Sequence, residues 1–179
     1  MTHRVTKTYG AELGLSATFR QHRAKSHCRF IHGYALGFKL VFEADKLDEN
    51  GWVKDFGGLK PLKQRLIETF DHRLLVAADD PAILLLRMLG GPIKPSQGDY
   101  IRFQPYQAAE DDFGELGLLP PLAQVTVVDH VGCEAFARMV WGWADELITP
   151  DERADGVRLV EVECREHAGN AASYMGEGR

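Results

Sequence analysis

One short stretch of the chain gathers side chains that are capable of acid–base and metal chemistry. Cys28 lies four positions before His32, which is followed by a glycine. Cationic residues precede and follow the cysteine, namely Arg20, Arg23, Lys25 and Arg29. Such neighbours lower the pKa of a thiol and raise the fraction of reactive thiolate, although a cysteine is more often inert core packing. Both interpretations of Cys28 stay open, and the cations could meet an anion or be solvated.

Histidines in the same stretch could contribute to a metal site. His32 is a candidate ligand, because imidazole nitrogen is a common zinc donor. One histidine does not make a site, but His22 and His27 are near in the sequence, and Tyr34 falls on the same strand face as His32. A three-ligand set is therefore conceivable in this region.

An Asp-His pair and a late glutamate are further candidates. Asp71 can orient the imidazole of His72, or the two can pass a proton, but the pair could equally be surface residues that end a helix. Glu166 ends a predicted strand whose alternation would bury it or direct it into a cleft. A carboxylate there needs a cationic partner or a ligand rich in donors.

The two other cysteines offer less chemistry. Cys133 lies at the start of a predicted helix, where the helix could acidify the thiol, but Glu134 follows it directly. Cys164 alternates with polar residues within a strand and is predicted to be a core residue.

The composition indicates one globular domain. The 179 residues, of which 45% are hydrophobic, are enough for one well-packed core. A net charge of −5 gives no basic footprint for nucleic acid. Three scattered cysteines indicate reduced thiols, and the sequence has no signal segment and no apolar run that could span a bilayer. We expect a cytoplasmic protein that binds neither nucleic acid nor a membrane.

The elements that must position these residues can be read from periodicity. Residues 5–19 are predicted to form one long strand kinked by glycines, and residues 34–44 form a strand with one apolar face. A helix begins close to Leu59, because Pro61 fits only in its first turn. A second helix covers 133–147. Two further β-rich stretches flank it: AQVTVVD and GVRLVEVECRE.

The middle of the chain, residues 77–121, has a weaker pattern. Residues 79–89 are predicted to form a short helix capped by Asp79 or Asp80, with Pro81 at its first position. Farther on, the stretch SQGDYIRFQPYQ could be a strand and AAEDDFGELG an acidic loop.

In combination, these motifs resemble the 6-pyruvoyl- and 6-carboxy-tetrahydropterin synthases of the tunnelling fold. Their order along the chain is kept, and the resemblance covers about two-thirds of the sequence. The matching stretches are LSATF at 15–19, CRFIHGY at 28–34, GWVKDFGGLK at 51–60, FDH at 70–72, GCE at 132–134 and REHAGNAASY at 165–174.

The resemblance implies an α+β fold with a four-stranded antiparallel sheet and two helices on one face. The whole chain, 1–179, would be a single domain, with 77–121 as an insertion between the helices. Family members form rings that stack around a β-barrel tunnel, usually as hexamers, with active sites between subunits. We therefore expect a homo-oligomer, with a hexamer as the implied size.

Residue roles follow from the resemblance by position. Cys28 matches the general base, and Asp71 and His72 match the proton relay. Glu166 matches the carboxylate that binds the guanidine-like edge of a pterin, and Glu134 matches a further pterin contact at the helix start. Two parallel N–H donors suit one bidentate carboxylate. Three cations are expected to meet the substrate triphosphate: Arg20, Arg23 and Lys25.

The family's zinc site is where the sequence departs from the pattern. The three zinc-binding histidines would fall at Phe19, His32 and Tyr34, so only one remains. Zinc polarises the substrate hydroxyls and eases removal of the carbon-bound proton. A replacement ligand would have to be His27, which is favoured slightly, or His22. Zn²⁺ is thus a cofactor implied by the resemblance, with His32 and His27 as its candidate ligands.

The activity implied is that of a lyase acting on 7,8-dihydroneopterin triphosphate or a related pterin, similar to the 6-carboxy-tetrahydropterin synthases of queuosine biosynthesis. Two alternatives stay open. One is a metal-free aldolase or epimerase acting on an unphosphorylated pterin. The other is a non-catalytic protein that keeps only the pterin pocket or the ring.

Overall fold

The alternating stretch at 34–44 is part of a long strand in the computed structural model, which describes residues 2–90 and 122–176. The chain divides into two compact units. The first unit comprises 1–15, 34–71 and 132–179, and the second unit comprises 16–33 and 72–131. The strands of the first unit pair antiparallel, and those of the second unit pair in parallel.

An antiparallel sheet forms the framework of the first unit. Its strand order is β1, β3, β6, β7, and every neighbouring pair is antiparallel. Four apolar side chains that alternate along β3 are buried, because one face of the strand turns toward the core: Leu36, Phe38, Leu40 and Phe42. The strands are β1 (His3–Tyr9), β3 (His32–Ala44), β6 (Arg158–His167) and β7 (Asn170–Met175).

Two amphipathic helices pack on this sheet. Helix α1 (Lys60–Phe70) carries a proline in its first turn, and α3 (Cys133–Asp145) is the longest helix among the described residues. The ring of Phe70 lies 5.1 Å from that of Phe38 on the sheet and 5.3 Å from that of Phe136 on α3. All three rings are buried. This aromatic contact joins both helices to one sheet face, since such pairs add to the free energy of burial.

A buried lysine connects the segment before α1 to the short helix α4 (Pro150–Ala154). The Lys54 side chain is only 2% exposed, and its ammonium lies 2.7 Å from a Glu152 carboxylate oxygen. It also donates to the Leu147 carbonyl oxygen at 2.9 Å. Glu152 completes a capping box with Thr149 at the start of α4. Desolvation opposes ionisation of Glu152, but the hydrogen bonds from Lys54 and the Thr149 backbone hold the pKa of its carboxyl below the usual range.

The second unit is built on three parallel strands. They are β2 (Leu15–Phe19), whose first residue belongs to the first unit, β4 (Arg73–Ala77) and β5 (Gln124–Val128). Strand β4 lies between the other two and pairs with both in parallel. Helix α2 (Ile83–Met88) buries Leu86 against the apolar side chains of β4 and β5. Parallel pairing brings the carboxyl ends of all three strands to the same edge.

The α+β class, the strand at 34–44 and the helices near Leu59 and at 133–147 are confirmed. The described residues contain seven strands rather than the four expected, since the parallel strands add three. The single strand predicted at 5–19 is wrong. A 3-10 turn at Ala11–Leu13 separates β1 from β2. Gly14, whose φ is +70°, then turns the chain into β2.

The short helix predicted at 79–89 begins later than expected. It starts at Ile83, so Pro81 precedes it rather than occupying its first position. The Asp80 carboxylate accepts from the Ala82 backbone N–H at 2.8 Å and closes a turn there. The strand and acidic loop predicted farther on fall within 91–121, outside the described residues. Within 2–90 and 122–176, no helix is both long and apolar enough to cross a membrane.

Replacing Glu152 by glutamine should destabilise the first unit by about 3 kcal/mol, because the Lys54 ammonium would be left buried without its counter-charge. The stabilisation is present above the unfolded pKa near 4.5 and is lost as pH falls through the lower folded pKa. Urea unfolding at several pH values measures both effects.

The matched control is Glu146→Gln. Glu146 is 71% exposed and lies 3.5 Å from Arg65, so its loss should cost less than about 1 kcal/mol. Equal destabilisation by the two variants would contradict a structural role for the buried pair.

Candidate functional site

Backbone contacts fix the position of Cys28 in the second unit. It lies in a 3-10 turn at His27–Arg29 that is capped by Ser26, whose hydroxyl accepts from the Cys28 N–H at 3.4 Å. The Cys28 carbonyl oxygen accepts from the Gln21 N–H at 2.9 Å. The thiol is free and half-buried. The turn therefore exposes part of the Cys28 side chain, while the backbone N–H and carbonyl oxygen of Cys28 are both hydrogen-bonded.

The side chain of His32 packs against an apolar ring where the family places a zinc ligand. Its Nδ1 lies 2.7 Å from the Phe30 carbonyl oxygen, which can only accept, so Nδ1 carries the proton. The lone pair of a neutral ring is then on Nε2. The Phe19 ring lies 5.3 Å from the His32 ring, with an interplanar angle of 52°. The Phe19 ring thus contacts His32 at a position where the family pattern has another zinc-binding histidine.

These side chains do not fit the implied zinc site. Phe19 has no donor atom, and the expected replacement ligands do not complete a set. His27 is exposed, and the His22 ring lies 3.9 Å from both Asp79 and Asp80 instead. Among the residues in 2–90 and 122–176, no three His, Cys, Asp or Glu side chains are grouped so that they could hold a metal ion. The prediction of a zinc site at His32 and His27 is therefore not supported by the donor geometry.

His72 has an unusual backbone conformation. It follows α1, where Asp71 is the C-terminal cap and donates its N–H to the Ile67 carbonyl oxygen at 3.0 Å. The φ of His72 is +51°, the left-handed region that is uncommon for residues other than glycine. Strand β4 begins at the next residue. Such strain persists where surrounding structure determines it, and it clusters at functional sites.

The first unit brings two predicted substrate-binding carboxylates together. Glu134 is in the first turn of α3, after Gly132 with φ +115°, and Glu166 lies near the end of β6. Both are close enough to Cys164 for their charges to act on it. The pKa of the Cys164 thiol is raised, first by its hydrogen bond with Cys133, then by burial and by these two carboxylates. Cys133 and Cys164 are thus buried thiols in contact with each other, with Glu134 and Glu166 near Cys164.

The cations expected to contact a triphosphate are arranged differently from the prediction. The Arg20 guanidinium binds the buried carboxylate of Asp80, with Nε to Oδ2 at 2.9 Å. Arg23 contacts Asp79 at 2.6 Å. Lys25 is exposed. Two of the three charges are therefore already compensated within the second unit.

Asp79, Asp80 and His22 gather at the ends of β2 and β4, and sequence reasoning did not assign them to one site. The sequence predicts Asp79 or Asp80 as a helix cap, and His22 as the less favoured replacement for a zinc ligand. The order of residues along the chain could have indicated that these side chains lie together. Polar side chains come soon after two apolar strands, and in a parallel sheet such strand ends meet at one edge.

Comparison with known proteins places these features in a family context. The family described as 6-pyruvoyl tetrahydropterin synthase matches residues 10–177. A protein named 6-carboxy-5,6,7,8-tetrahydropterin synthase from Rickettsia typhi is 38% identical over 60 residues, 33% of this chain and 44% of that protein. One of the same name from Aquifex aeolicus is 32% identical over 82 residues, covering 44% and 48%. The chain thus spans about half the length of these relatives.

Solved structures of similar fold cover nearly the whole chain. An uncharacterized protein from Wolinella succinogenes has a TM-score of 0.75 at 21% identity, covering 99% of both chains. A Plasmodium vivax 6-pyruvoyltetrahydropterin synthase has a TM-score of 0.58 at 15% identity, covering 97% of both chains. At these identities the likeness concerns the fold.

Thiol labelling should separate the three cysteines. We expect one thiol per chain, that of Cys28, to react rapidly with a thiol reagent in the native protein, and three after denaturation, because only Cys28 is accessible. The Cys28→Ser variant should lose the rapid phase. Rapid native labelling of Cys133 or Cys164 would contradict their burial.

Gly33→Ala tests the packing next to His32. A Cβ at this position would lie 3.0 Å from the Ala17 carbonyl oxygen and from Thr18 Oγ1, so the strands must shift, at a cost of about 1–3 kcal/mol. Gly142→Ala is the control, because nothing lies within 4 Å of a Cβ there and alanine favours a helix by about 0.5–1 kcal/mol. Thermal unfolding measures both, and equal shifts would contradict the steric argument.

Proposed function

The chain belongs to the 6-pyruvoyl tetrahydropterin synthase family, and we propose that it is a lyase acting on 7,8-dihydroneopterin triphosphate or a related pterin. The relatives named 6-carboxy-5,6,7,8-tetrahydropterin synthase favour this reaction class. In the proposal the protein works in queuosine or pterin biosynthesis. Three free thiols are consistent with a reducing, cytoplasmic location.

The observation that carries the proposal is that Glu134, in the first turn of α3, and Glu166, near the end of β6, both lie near the buried thiol of Cys164. Carboxylates at such positions need hydrogen-bond donors, and a pterin presents a guanidine-like edge with N–H groups. Glu166 would accept from this edge and Glu134 would accept from a further ring N–H. The raised pKa of the buried Cys164 thiol disfavours a thiolate that would compete for these donors.

The proton chemistry falls to residues of the second unit and to the Asp71–His72 pair. Cys28 would remove the carbon-bound proton of the pterin side chain, and His72, oriented by Asp71, would relay it. We propose that these groups meet between copies of the chain, in a homo-oligomer of the family's hexameric type. Because the donor set does not fit three-ligand zinc, this mechanism uses no metal-dependent step.

A second candidate is an aldolase or epimerase acting on an unphosphorylated pterin without metal. It is favoured by the contact between Phe19 and His32 and by the compensation of Arg20 and Arg23 by aspartates. A phosphorylated substrate would need cations that are not already paired. A non-catalytic pterin-binding protein is the remaining alternative, in which Cys28 could be replaced without loss.

Turnover assays test the proposal. The purified protein is incubated with 7,8-dihydroneopterin triphosphate or with 7,8-dihydroneopterin, with added zinc or with a chelator, and products are identified by mass spectrometry. Cys28→Ala should lower kcat by at least about a hundredfold, because it removes the general base. Glu166→Gln should raise KM and lower kcat/KM, because it weakens ring binding.

Glu161→Gln is the matched control, since this glutamate is on the same strand but pairs with Lys39. It should leave turnover unchanged. Conversion of the triphosphate supports the lyase, and conversion of the unphosphorylated pterin alone supports the second candidate. Binding of either pterin without any conversion would overturn both enzymatic proposals.

A further inference from the structure

A cavity of about 380 Å³ lies in the second unit at the carboxyl edge of its parallel strands. Eight described residues line it: Gln21, His22, Arg23, Ala24, Ala77, Asp79, His130 and Val131. They follow or end three strands, β2 at Phe19, β4 at Ala77 and β5 at Val128. Ligands of parallel α/β sheets bind at this edge, and the volume is within the roughly 300–1,000 Å³ of small-molecule sites.

Hydrogen bonds hold the walls of this cavity in place. The Ala78 N–H donates to the Val128 carbonyl oxygen at 2.7 Å and joins the ends of β4 and β5. The Ala24 N–H donates to the Gln21 carbonyl oxygen at 2.8 Å and closes a turn after β2. Beneath them, the Asp80 side chain is fully buried and binds Arg20. The backbone that lines the cavity is therefore held in position without a bound ligand.

The charges around the cavity cancel in pairs. Asp80 compensates Arg20 at 2.9 Å, and Asp79 compensates Arg23 at 2.6 Å. His22, whose side chain is 11% exposed, has its two ring nitrogens 3.9 Å from these two carboxylates. An incoming anion would meet the aspartates, and an incoming cation would meet the arginines. A net charge on the ligand is thus disfavoured in either sign.

The polar groups that remain can each exchange hydrogen bonds with a hydroxyl group. An imidazole and the Gln21 amide can hydrogen-bond to a hydroxyl, and the Asp79 carboxylate, which binds Arg23 through one oxygen, can accept through the other. Hydroxyl groups also donate and accept, so neighbouring hydroxyls match such a lining. An apolar ligand would leave these groups desolvated without partners.

We propose that this carboxyl-edge cavity is a binding site for a neutral ligand with vicinal hydroxyl groups, such as an open-chain polyol or a ribose ring. The site lies in the second unit alone and does not depend on the pterin proposal. His22 and Asp79 contact the hydroxyls, while Arg20 and Asp80 position the edge from below.

Ligand-observed saturation-transfer NMR on the full-length protein tests this site. The probes are ribitol, methyl β-D-ribofuranoside and its 2-deoxy analogue, which lacks the vicinal pair, and inorganic tripolyphosphate. Ribitol or the riboside should bind at millimolar concentration, and the 2-deoxy analogue should bind about tenfold more weakly than the riboside, because a hydrogen-bonding site rejects an analogue that lacks the hydroxyl. Tighter binding of ribitol would identify the ligand as an open-chain polyol, and tighter binding of the riboside would identify it as a ribose ring.

Variants locate the binding. His22→Ala and Asp79→Asn should each weaken polyol binding about tenfold, whereas His3→Ala, a histidine of the first unit, should leave it unchanged. If His22→Ala lowers the melting temperature strongly, His130→Gln replaces it as the test. Absence of polyol binding, equal binding of the deoxy analogue, or displacement of the polyols by tripolyphosphate would each overturn the proposal.

Discussion

The ion pair between Arg20 and Asp80 is the contact on which the second unit depends. Asp80 is fully buried after β4, and it binds both the guanidinium that follows β2 and the backbone N–H of Ala82. Leaving either charge without its partner would cost about 3–5 kcal/mol. Since the pair joins the exits of two parallel strands, it also fixes the segment that starts at Gln21. Through the bond from Gln21 to the Cys28 carbonyl oxygen, the same pair positions the candidate general base.

At the end of β2, an apolar contact lies where the family pattern has zinc-binding histidines. Phe19 is fully buried and contacts the His32 ring, and His32 donates to its own turn through Nδ1. Gly33 allows the close approach of the chain to Ala17, because a Cβ there would lie only 3.0 Å from the Ala17 carbonyl oxygen. The lost Lewis acid would supply several kcal/mol of charge stabilisation, so a reaction at this site depends more heavily on its acid–base residues. A substrate that reacts readily without metal activation is consistent with this arrangement.

The first unit holds the two glutamates that we propose bind the ring. Glu134 lies in the first turn of α3 and Glu166 near the end of β6, and both are near the buried Cys164, which contacts Cys133. The aromatic contact of Phe38, Phe70 and Phe136 holds the helices against the sheet below. The glutamates proposed to bind the ring are therefore carried by elements that pack on a well-ordered aromatic core.

Local pattern was sufficient to predict much of the fold. Alternation at 34–44 and helical spacing at 133–147 are strong because each element buries one continuous face. Strand β4 was not predicted from the sequence. It is only five residues long and almost wholly buried, so apolar and polar residues do not alternate along it. The break between β1 and β2 was missed because two separate strands and one kinked strand give the same alternation around glycines.

The sequence alone determined the family motifs, the loss of two zinc histidines and the order of the main elements. Only the tertiary structure decided that β2 and β4 run parallel, that Arg20 and Arg23 meet aspartates 60 and 56 positions away, and that a cavity forms at their shared edge. The physical reason is that strand direction and ion pairing over such separations are set by packing of the whole sheet. A short stretch of sequence contains the arginines but not the distant aspartates that pair with them.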